Sequence, residues 1–215
     1  MRFQTVIGNA IPMKAATRTR SDVKRAAIIQ AAKQAFQKYG VDATSMDKLA
    51  ELAQVSKRTV YNHFSAKEEL VMHLIKELWH KTMTSIDVRY DPDSELHPQL
   101  ESLLRAEVEL ITGSEYLELA RVAFGYFFYN PDKLKDEISQ LTAQETVLHR
   151  WLVAAQQDGR LKFDDLEFVV KELSCLLKGH CFWPQLLKIE PPLSDAMKKK
   201  VAHNTAALCL SHYSA

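Results

Sequence analysis

The sequence predicts an all-α protein of about nine helices, in which a small N-terminal helix-turn-helix domain precedes a larger C-terminal helical domain. Three observations support this fold class. Apolar residues recur at helical spacing along most of the 215 residues, caps and stops separate the apolar segments, and the alternation typical of strands is nearly absent. The composition, with 47% hydrophobic and 26% charged residues, is that of a globular chain and excludes a disordered or fibrous one.

Individual residues set the predicted helix ends. Gly40 stops the first helix, and Thr44 with Asp47 three residues later resembles the capping box that begins a helix. Asp164 with Glu167 caps a later helix in a similar way. In chain order, the predicted helices cover residues 22–39, 44–53, 56–63, 67 into the eighties, 96–112, 115–129, 131–157, 165–188 and 194–212.

The two short helices between residues 44 and 63 combine an apolar framework with a polar front. Leu49, Ala50 and Val60 recur at a spacing that buries them between three helices. The front of the second short helix carries Arg and Lys, which donate to guanine, Asn, which pairs with adenine, and Thr, Tyr and His, which reach phosphates. Backbone N–H groups at two helix N-termini add phosphate donors. The predicted DNA-contacting residues are Thr44, Lys57, Arg58, Thr59, Tyr61, Asn62, His63 and Lys67.

The net charge of +1 is the sum of two opposite parts, which cancel, and of the single charge of Arg2. Residues 14–70 contain 11 Lys+Arg and 6 Asp+Glu, which gives +5, whereas residues 71–215 contain 16 and 21, which gives −5. This asymmetry indicates a nucleic-acid-binding module joined to a part that does not bind nucleic acid, although a solvated charged face would produce the same imbalance. A basic arm that could follow the DNA backbone or enter the minor groove is predicted from Lys14, Arg18, Arg20, Lys24 and Arg25.

Residues 40–70 resemble the DNA-binding domain of the TetR family of bacterial transcriptional regulators. Three positions depart from the family pattern. Gln54 stands where Gly is frequent, so a left-handed turn is predicted there, and Arg58 also replaces a frequent Gly. Ala66 stands where a capping residue is common, which predicts that Ser65 with Glu68 caps the fourth helix instead. The resemblance rests on Gly40, Thr44, Leu49-Ala50, Ala53, Val55-Ser56, Thr59-Val60-Tyr61, His63-Phe64 and Lys67-Glu68 through Leu70.

The resemblance implies a homodimer that responds to a small-molecule inducer. TetR-family regulators usually dimerise through their last two long helices, here residues 165–188 and 194–212, and Gly179 would permit close helix packing. Family helices at the position of residues 119–129 line an inducer pocket, and the run 178–187 resembles AefR-like members. The implied pocket residues are Phe124, Tyr126, Phe127, His149, Trp151, Cys175 and Trp183.

Each interpretation has a simpler alternative. Residues 44–70 could form a surface hairpin with solvated charges, and the aromatic residues within 119–129 could be ordinary core. The last two helices could likewise be internal core helices only. The agreement of core pattern, caps and polar front favours the DNA-binding interpretation of residues 44–70.

The expected organisation has three parts: a flexible basic arm over residues 1–20, a helix-turn-helix DNA-binding domain over 21–66, and a helical regulatory and dimerisation domain over 67–215. Met13 is an alternative start, which leaves open whether residues 1–12 are translated. No apolar segment reaches the ~18–20 residues of a spanning helix. We therefore expect a cytoplasmic protein with reduced thiols and no membrane partner.

No catalytic or metal-binding pattern is visible in the sequence. A phosphate-binding Gly loop, a nucleophile elbow and paired zinc-ligand spacing are all missing. Cys175, His180 and Cys181 are close along the chain, but separations of five and six residues place them on different faces of one helix. The eight His residues form no cluster in the sequence. We therefore expect no enzyme, no cofactor and no metal site.

The predicted function is that of a sequence-specific DNA-binding transcriptional regulator, namely a ligand-responsive homodimeric repressor of a near-palindromic double-stranded DNA operator. The alternative is a sequence-tolerant DNA-binding structural or interaction protein without a small-molecule inducer. Salt-dependent binding without sequence preference would distinguish the alternative.

Overall fold

The computed structural model describes residues 19–132 and 146–215, which form helices around two apolar clusters. A π-helical turn, Lys178–Phe182, makes residues 166–186 one helical stretch. The described residues then contain nine helical stretches and no strand, which confirms the predicted all-α class. In chain order the helices are α1 (Arg20–Tyr39), α2 (Met46–Leu52), α3 (Lys57–His63), α4 (Lys67–Thr84), α5 (Leu96–Ile111), α6 (Ser114–Phe127), α7 (Val147–Gln157), α8 (Leu166–Leu177), α9 (Trp183–Leu186) and α10 (Asp195–Tyr213).

Two of the predicted caps are displaced by one residue. The cap of α2 is Ser45 rather than Thr44, because the Ser45 hydroxyl accepts a hydrogen bond from the Lys48 amide. The cap of α8 is Asp165 rather than Asp164, and its carboxylate accepts from the Phe168 amide. In each pair the neighbouring residues have similar capping chemistry, so the sequence alone does not separate them.

The start of α4 also differs in detail from the prediction. Ala66 precedes the helix and gives no side-chain cap. Ser65 donates from its amide at 2.7 Å and from its hydroxyl at 3.0 Å to the same carboxylate oxygen of Glu69, not of Glu68. One carboxylate therefore satisfies two donors just before the helix.

The basic arm is shorter than predicted. Helix α1 begins at Arg20, where the Thr19 and Asp22 side chains cap each other's backbone amides. Lys24 and Arg25 are consequently residues of α1 rather than of an arm. Lys14 and Arg18 lie outside the described residues, as does the centre of the helix predicted over 131–157.

The first apolar cluster joins α1, α2 and α3 to α4 and to one side of α6. At its centre Ile28, Leu49 and Val60 are fully buried. Leu70 of α4 and Phe127 of α6 belong to the same cluster. The predicted domain boundary at residue 67 stays a prediction, and the packing associates the first half of α4 with the three preceding helices.

The second cluster is formed mainly by α5, α7, α8 and α10, and its largest fully buried side chain is Trp151. Helix α6 lies between the two clusters: Leu119 and Val122 belong to the first, whereas Leu117 and Ala120 belong to the second. No helix of the described residues has the length and apolar character needed to cross a membrane.

Candidate nucleic-acid interface

A tight turn joins α2 to α3. The Val55 amide donates to the Ala50 carbonyl at 3.1 Å, and Gln54 has a φ of 54°. This left-handed conformation confirms the prediction made for Gln54, a position where glycine would carry no side-chain penalty. The turn brings α3 across α2 and leaves the front of α3 at the surface.

Helix α3 is fixed to the first cluster by one side and one end. Val60 is the residue of α3 that is buried, and Phe64 follows the helix with 2% of its surface exposed. The Ser56 hydroxyl accepts a hydrogen bond from the Thr59 amide and thus caps the helix N-terminus, as predicted. With only these anchors, the rest of α3 faces away from the core.

The outward face of α3 carries three of the predicted DNA-contacting residues in exposed positions, namely Arg58, Tyr61 and Asn62. The Arg58 guanidinium and the Asn62 amide make no hydrogen bond or ion pair with the part of the chain that the structure describes. Their donors and acceptors are consequently available to another molecule. Arg with guanine and Asn with adenine are the side-chain pairings that specify bases in a major groove.

Lys57, Thr59 and His63 lie beside this face. The Lys57 ammonium makes an exposed ion pair with Asp47 at 2.8 Å, and this carboxylate raises the pKa of Lys57. Thr59 shares a hydroxyl hydrogen bond of 2.8 Å with Ser56, and both Thr59 and His63 are partly exposed. An exposed ion pair is weak, so a phosphate can compete for Lys57.

Two of the predicted DNA-contacting side chains instead point into the protein. The Thr44 hydroxyl is buried and donates to the Gly40 carbonyl at 2.7 Å. The Lys67 ammonium donates to the carbonyls of Val41 and Asp42 at 3.0 and 3.1 Å, so it joins α4 to the loop before α2. The Thr44 hydroxyl is therefore already used inside the fold, and the predicted contacts of Thr44 and Lys67 with DNA stay predictions.

Arg25 and His73 both contact the ring of Phe64, at the end of α3. The Arg25 guanidinium lies 4.9 Å from the centre of the Phe64 ring, and the His73 ring lies 6.0 Å from it. Burial lowers the pKa of His73, and the charge of Arg25 lowers it further. A neutral His73 and a stacked Arg25 thus hold the end of α3 against α1 and α4.

Helix α6 connects the interface to the second cluster through polar contacts. The Arg121 guanidinium donates to the carbonyls of Gln185 and Leu186 at 2.8 and 2.9 Å. Helix α6 also contacts α1, because Lys33 of α1 pairs with Glu77 at 2.8 Å and with Glu115 of α6 at 3.6 Å. A shift of α6 would therefore be transmitted to α1.

The seven predicted pocket residues do not converge on one cavity. Tyr126 and Phe127 belong to the first cluster, whereas Trp151 belongs to the second. Phe124 and Trp183 contact each other, with ring centres 5.3 Å apart. The remaining two residues, Cys175, which is exposed, and His149, whose Nε2 lies 3.6 Å from Glu167, are elsewhere. Tyr126 and Phe127 are buried, whereas Phe128 and Tyr129, which follow α6, are 79% and 80% exposed, and the pocket stays a prediction.

A cleft of about 460 Å³ lies instead between the segment after α4 and α7. Its lining includes Val88, Tyr90, Val147, Trp151 and Ala154. The Trp151 indole N–H is buried and makes no hydrogen bond within the described residues. A buried donor without an acceptor is uncommon. The polar side chains that line the cleft are those of Asp87, Arg89 and Arg150.

A second concavity, of about 570 Å³, is an apolar groove between α8 and α10. Leu173, Leu176 and Leu208 line it, together with the thiols of Cys175 and Cys209. Leu208 is 58% exposed. Gly179, just beyond α8, has no neighbour within 4 Å of the position that a Cβ would occupy.

Two histidines that are distant in the sequence lie close together in the fold. His97 of α5 and His203 of α10 have ring centres 4.6 Å apart, and Glu101 lies between them in reach of both. Cys175 and Cys181, by contrast, lie on different faces as their spacing predicts, one exposed and one buried.

Comparison with known proteins decides the family. Residues 28–74 match the family model described as bacterial regulatory proteins, tetR family. Residues 98–215 match the model of the AefR-like transcriptional repressor C-terminal domain. The chain belongs to the TetR family. This confirms the predicted family, its AefR-like subgroup and the assignment to DNA-binding transcriptional regulators, a class that is generally not enzymatic.

Individual TetR-family proteins are similar over different shares of the chain. A regulator from Pseudomonas syringae pv. tomato is 37% identical, with a TM-score of 0.78 over 90% of this chain and 98% of that one. A regulator from Agrobacterium tumefaciens shares the fold at 20% identity, with a TM-score of 0.69 over 89% and 94% of the two chains. TtgR of Pseudomonas putida is 38% identical over 82 residues, which are 38% of this chain and only 39% of TtgR.

Proposed function

We propose that this TetR-family protein is a homodimeric repressor that reads a near-palindromic operator with one α3 helix in each half-site. The observation that carries the proposal is the exposed pair Arg58 and Asn62, one helical turn apart on α3 and without hydrogen bonds to the described residues. Their spacing places both groups on one face of the helix. Such a face can present two base-reading groups to one major groove.

Phosphate contacts would orient that face on the duplex. Lys57, Tyr61 and His63 lie beside Arg58 and Asn62 and have donors that reach phosphate oxygens. Lys57 would exchange its exposed partner Asp47 for a phosphate. The Lys67 ammonium would act indirectly, because it holds the loop before α2 in place. It thereby fixes the position of the reading head, the unit that α1, α2, α3 and the first half of α4 form around the first apolar cluster.

The apolar groove between α8 and α10 supports dimerisation through the last two helices. Leu208 and Phe168 are more than half exposed, although they belong to the two helices that line this part of the surface. Exposed apolar groups that are contiguous with a groove are typical of protein interfaces. Packing the groove against its copy would place two α3 helices on one duplex, and avidity would raise the affinity of each.

The cleft beside Trp151 supports a small-molecule inducer. Its volume is within the range of ligand sites, and its lining combines apolar side chains with Asp87, Arg89 and Arg150, which offer polar groups to a ligand. An occupant would press on α7 and, through the second cluster, on α6. Since α6 also packs against α1, the inducer would favour a conformation in which the two α3 helices no longer match the operator.

Operator selection tests the proposal. The purified dimer is incubated with random-sequence duplexes, bound DNA is amplified and sequenced, and affinity for the enriched sequence is measured against random DNA at several salt concentrations. We expect two inverted half-sites with centres about one helical turn, 10 bp, apart or a multiple of it. Affinity for that sequence should exceed affinity for random DNA by at least about 10³-fold. Salt-dependent binding without an enriched sequence would instead establish the sequence-tolerant alternative.

A fluorescent apolar anion, anilinonaphthalene sulfonate, tests the cleft. We expect one molecule to bind per protomer, and Ala154→Trp to abolish binding because the indole fills the cleft. Operator binding should persist in that variant. The matched control is Gln157→Trp, which places the same side chain at an exposed position of α7 outside the cleft. Equal dye binding by both variants would contradict the assignment of the cleft.

A further inference from the structure

Three side chains that are common metal ligands meet where α5 packs on α10. His97 and Glu101 are four residues apart on α5, so they lie on one face of that helix. His203 comes from α10, 102 positions beyond Glu101 in the sequence. The two helices run antiparallel here, since Glu109 pairs with Lys198 at the opposite end of the contact.

The distances between the donor atoms suit a tetrahedral ion. Glu101 Oε2 lies 2.8 Å from His203 Nδ1 and 3.6 Å from His97 Nδ1, and one donor atom from each of the three residues lies within 4.8 Å of the others. Ligand atoms bound tetrahedrally to Zn²⁺ at about 2.0–2.2 Å are about 3.3 Å apart. Side-chain rotations would therefore have to bring donor atoms that lie within 4.8 Å of one another to this spacing.

The surroundings favour an open site rather than a closed one. The side chains of Glu101, His97 and His203 are 20%, 32% and 55% exposed, so an ion can enter from solvent while the carboxylate is largely shielded. Glu101 Oε2 and His203 Nδ1 share a hydrogen bond of 2.8 Å, which a bound ion would replace.

We propose that His97, Glu101 and His203 bind one divalent transition-metal ion, with Zn²⁺ as the best match and water in the remaining position. Two imidazoles and one carboxylate form a ligand set that suits Zn²⁺, whereas Mg²⁺ and Ca²⁺ prefer sites made of oxygen. The ion would join α5 to α10, whose opposite side lines the apolar groove. The site does not depend on the proposed operator or inducer.

Calorimetric titration of the full-length, untagged protein with ZnCl₂, after removal of metal by a chelator, tests the site. We expect one ion per protomer, a higher melting temperature with Zn²⁺, and no effect of MgCl₂ or CaCl₂. His97→Gln and His203→Gln should each weaken Zn²⁺ binding by at least about tenfold, because even indirect supports of a metal site cost 10–100-fold when removed. The spectrum with Co²⁺ should show tetrahedral d–d bands without thiolate charge transfer, which excludes the three cysteines as ligands.

The matched control is His80→Gln, which removes an exposed imidazole from α4, outside the cluster. This variant should bind Zn²⁺ like the parent protein. Circular dichroism of the metal-free variants establishes that each remains helical. A lack of stoichiometric Zn²⁺ binding, or equal binding by the His97, His203 and His80 variants, would leave the cluster as a hydrogen-bonded His–Glu contact and overturn the proposal.

Discussion

The outer face of α3 is polar, whereas the groove between α8 and α10 is apolar. Helix α3 buries Val60 and exposes Arg58 and Asn62, whose polar groups are solvated until a partner replaces the water. The α8–α10 surface exposes Leu208 and lines its groove with further leucines. A polar face with free donors suits a nucleic acid, whereas an apolar groove suits another protein surface. Damage to the polar face is thus expected to leave the dimer intact, whereas damage to the apolar face is expected to separate the protomers and thereby weaken DNA binding.

Breaking the apolar face should have the largest effect. Leu208→Glu would bury an unpaired carboxylate at the proposed dimer surface, so we expect the protein to sediment as a monomer. Operator affinity should then fall by at least about 100-fold, because the second α3 helix no longer adds to the first. Analytical ultracentrifugation and fluorescence anisotropy measure the two effects.

The control for this prediction is Leu187→Glu. Leu187 is 62% exposed and lies outside the groove, so the same change should leave both oligomeric state and operator affinity unaltered. A Leu208→Glu variant that remains a dimer would show that the last two helices do not form the interface.

A cavity in the reading head should weaken operator binding while the dimer remains intact. Leu49 is fully buried in the first cluster, so Leu49→Ala should lower the free energy of unfolding of this part by about 2–5 kcal/mol and weaken operator binding. The dimer should persist, because the groove belongs to the second cluster. Leu52→Ala, at a leucine that is 40% exposed on the same helix, should cost less than about 1 kcal/mol. Similar losses in both variants, measured by thermal unfolding, would contradict the described packing.

The stability of the reading head should depend on pH, with a smaller effect than the preceding changes. Burial and Arg25 lower the pKa of His73, so the unfolded chain binds a proton more readily than the folded one. The stabilising contribution is complete above the ordinary pKa of about 6.5 and is lost as the pH falls below it. The melting temperature of the reading head should therefore fall between pH 7 and 5. His73→Gln should flatten this dependence, whereas His80→Gln, at an exposed position of α4, should not.

The helices of the reading head can be predicted from the sequence, because residues close together in the chain determine where each helix begins and ends. In the structure Gly40 ends α1, Ser56 begins α3, and Gln54 turns the chain between α2 and α3. Each of these positions agrees with the prediction from the sequence. The error at Thr44 concerns the neighbouring hydroxyl of Ser45, and the error at Ser65 concerns the neighbouring carboxylates of Glu68 and Glu69. Only tertiary packing decides that Thr44 points inward to the Gly40 carbonyl.

The contacts of the second cluster are harder to predict from the sequence, because they join residues that are far apart in the chain. Tyr126 and Phe127 of α6 are buried in the first cluster, and no sequence pattern distinguishes such burial from the lining of a pocket. His97 and His203 meet only because α5 packs on α10, and neither helix contains more than part of the cluster. The sequence therefore predicted which helices form but not which of their side chains meet.

The most direct test of the central claim is a comparison of Arg58→Ala and Asn62→Ala on the selected operator and on random DNA. The account predicts that each variant loses about 1–3 kcal/mol of binding free energy on the operator and almost none on random DNA, because these side chains read bases. Lys57→Ala, which removes a phosphate contact, should lose similar amounts on both. Equal losses on operator and random DNA for Arg58→Ala and Asn62→Ala would contradict base reading by α3.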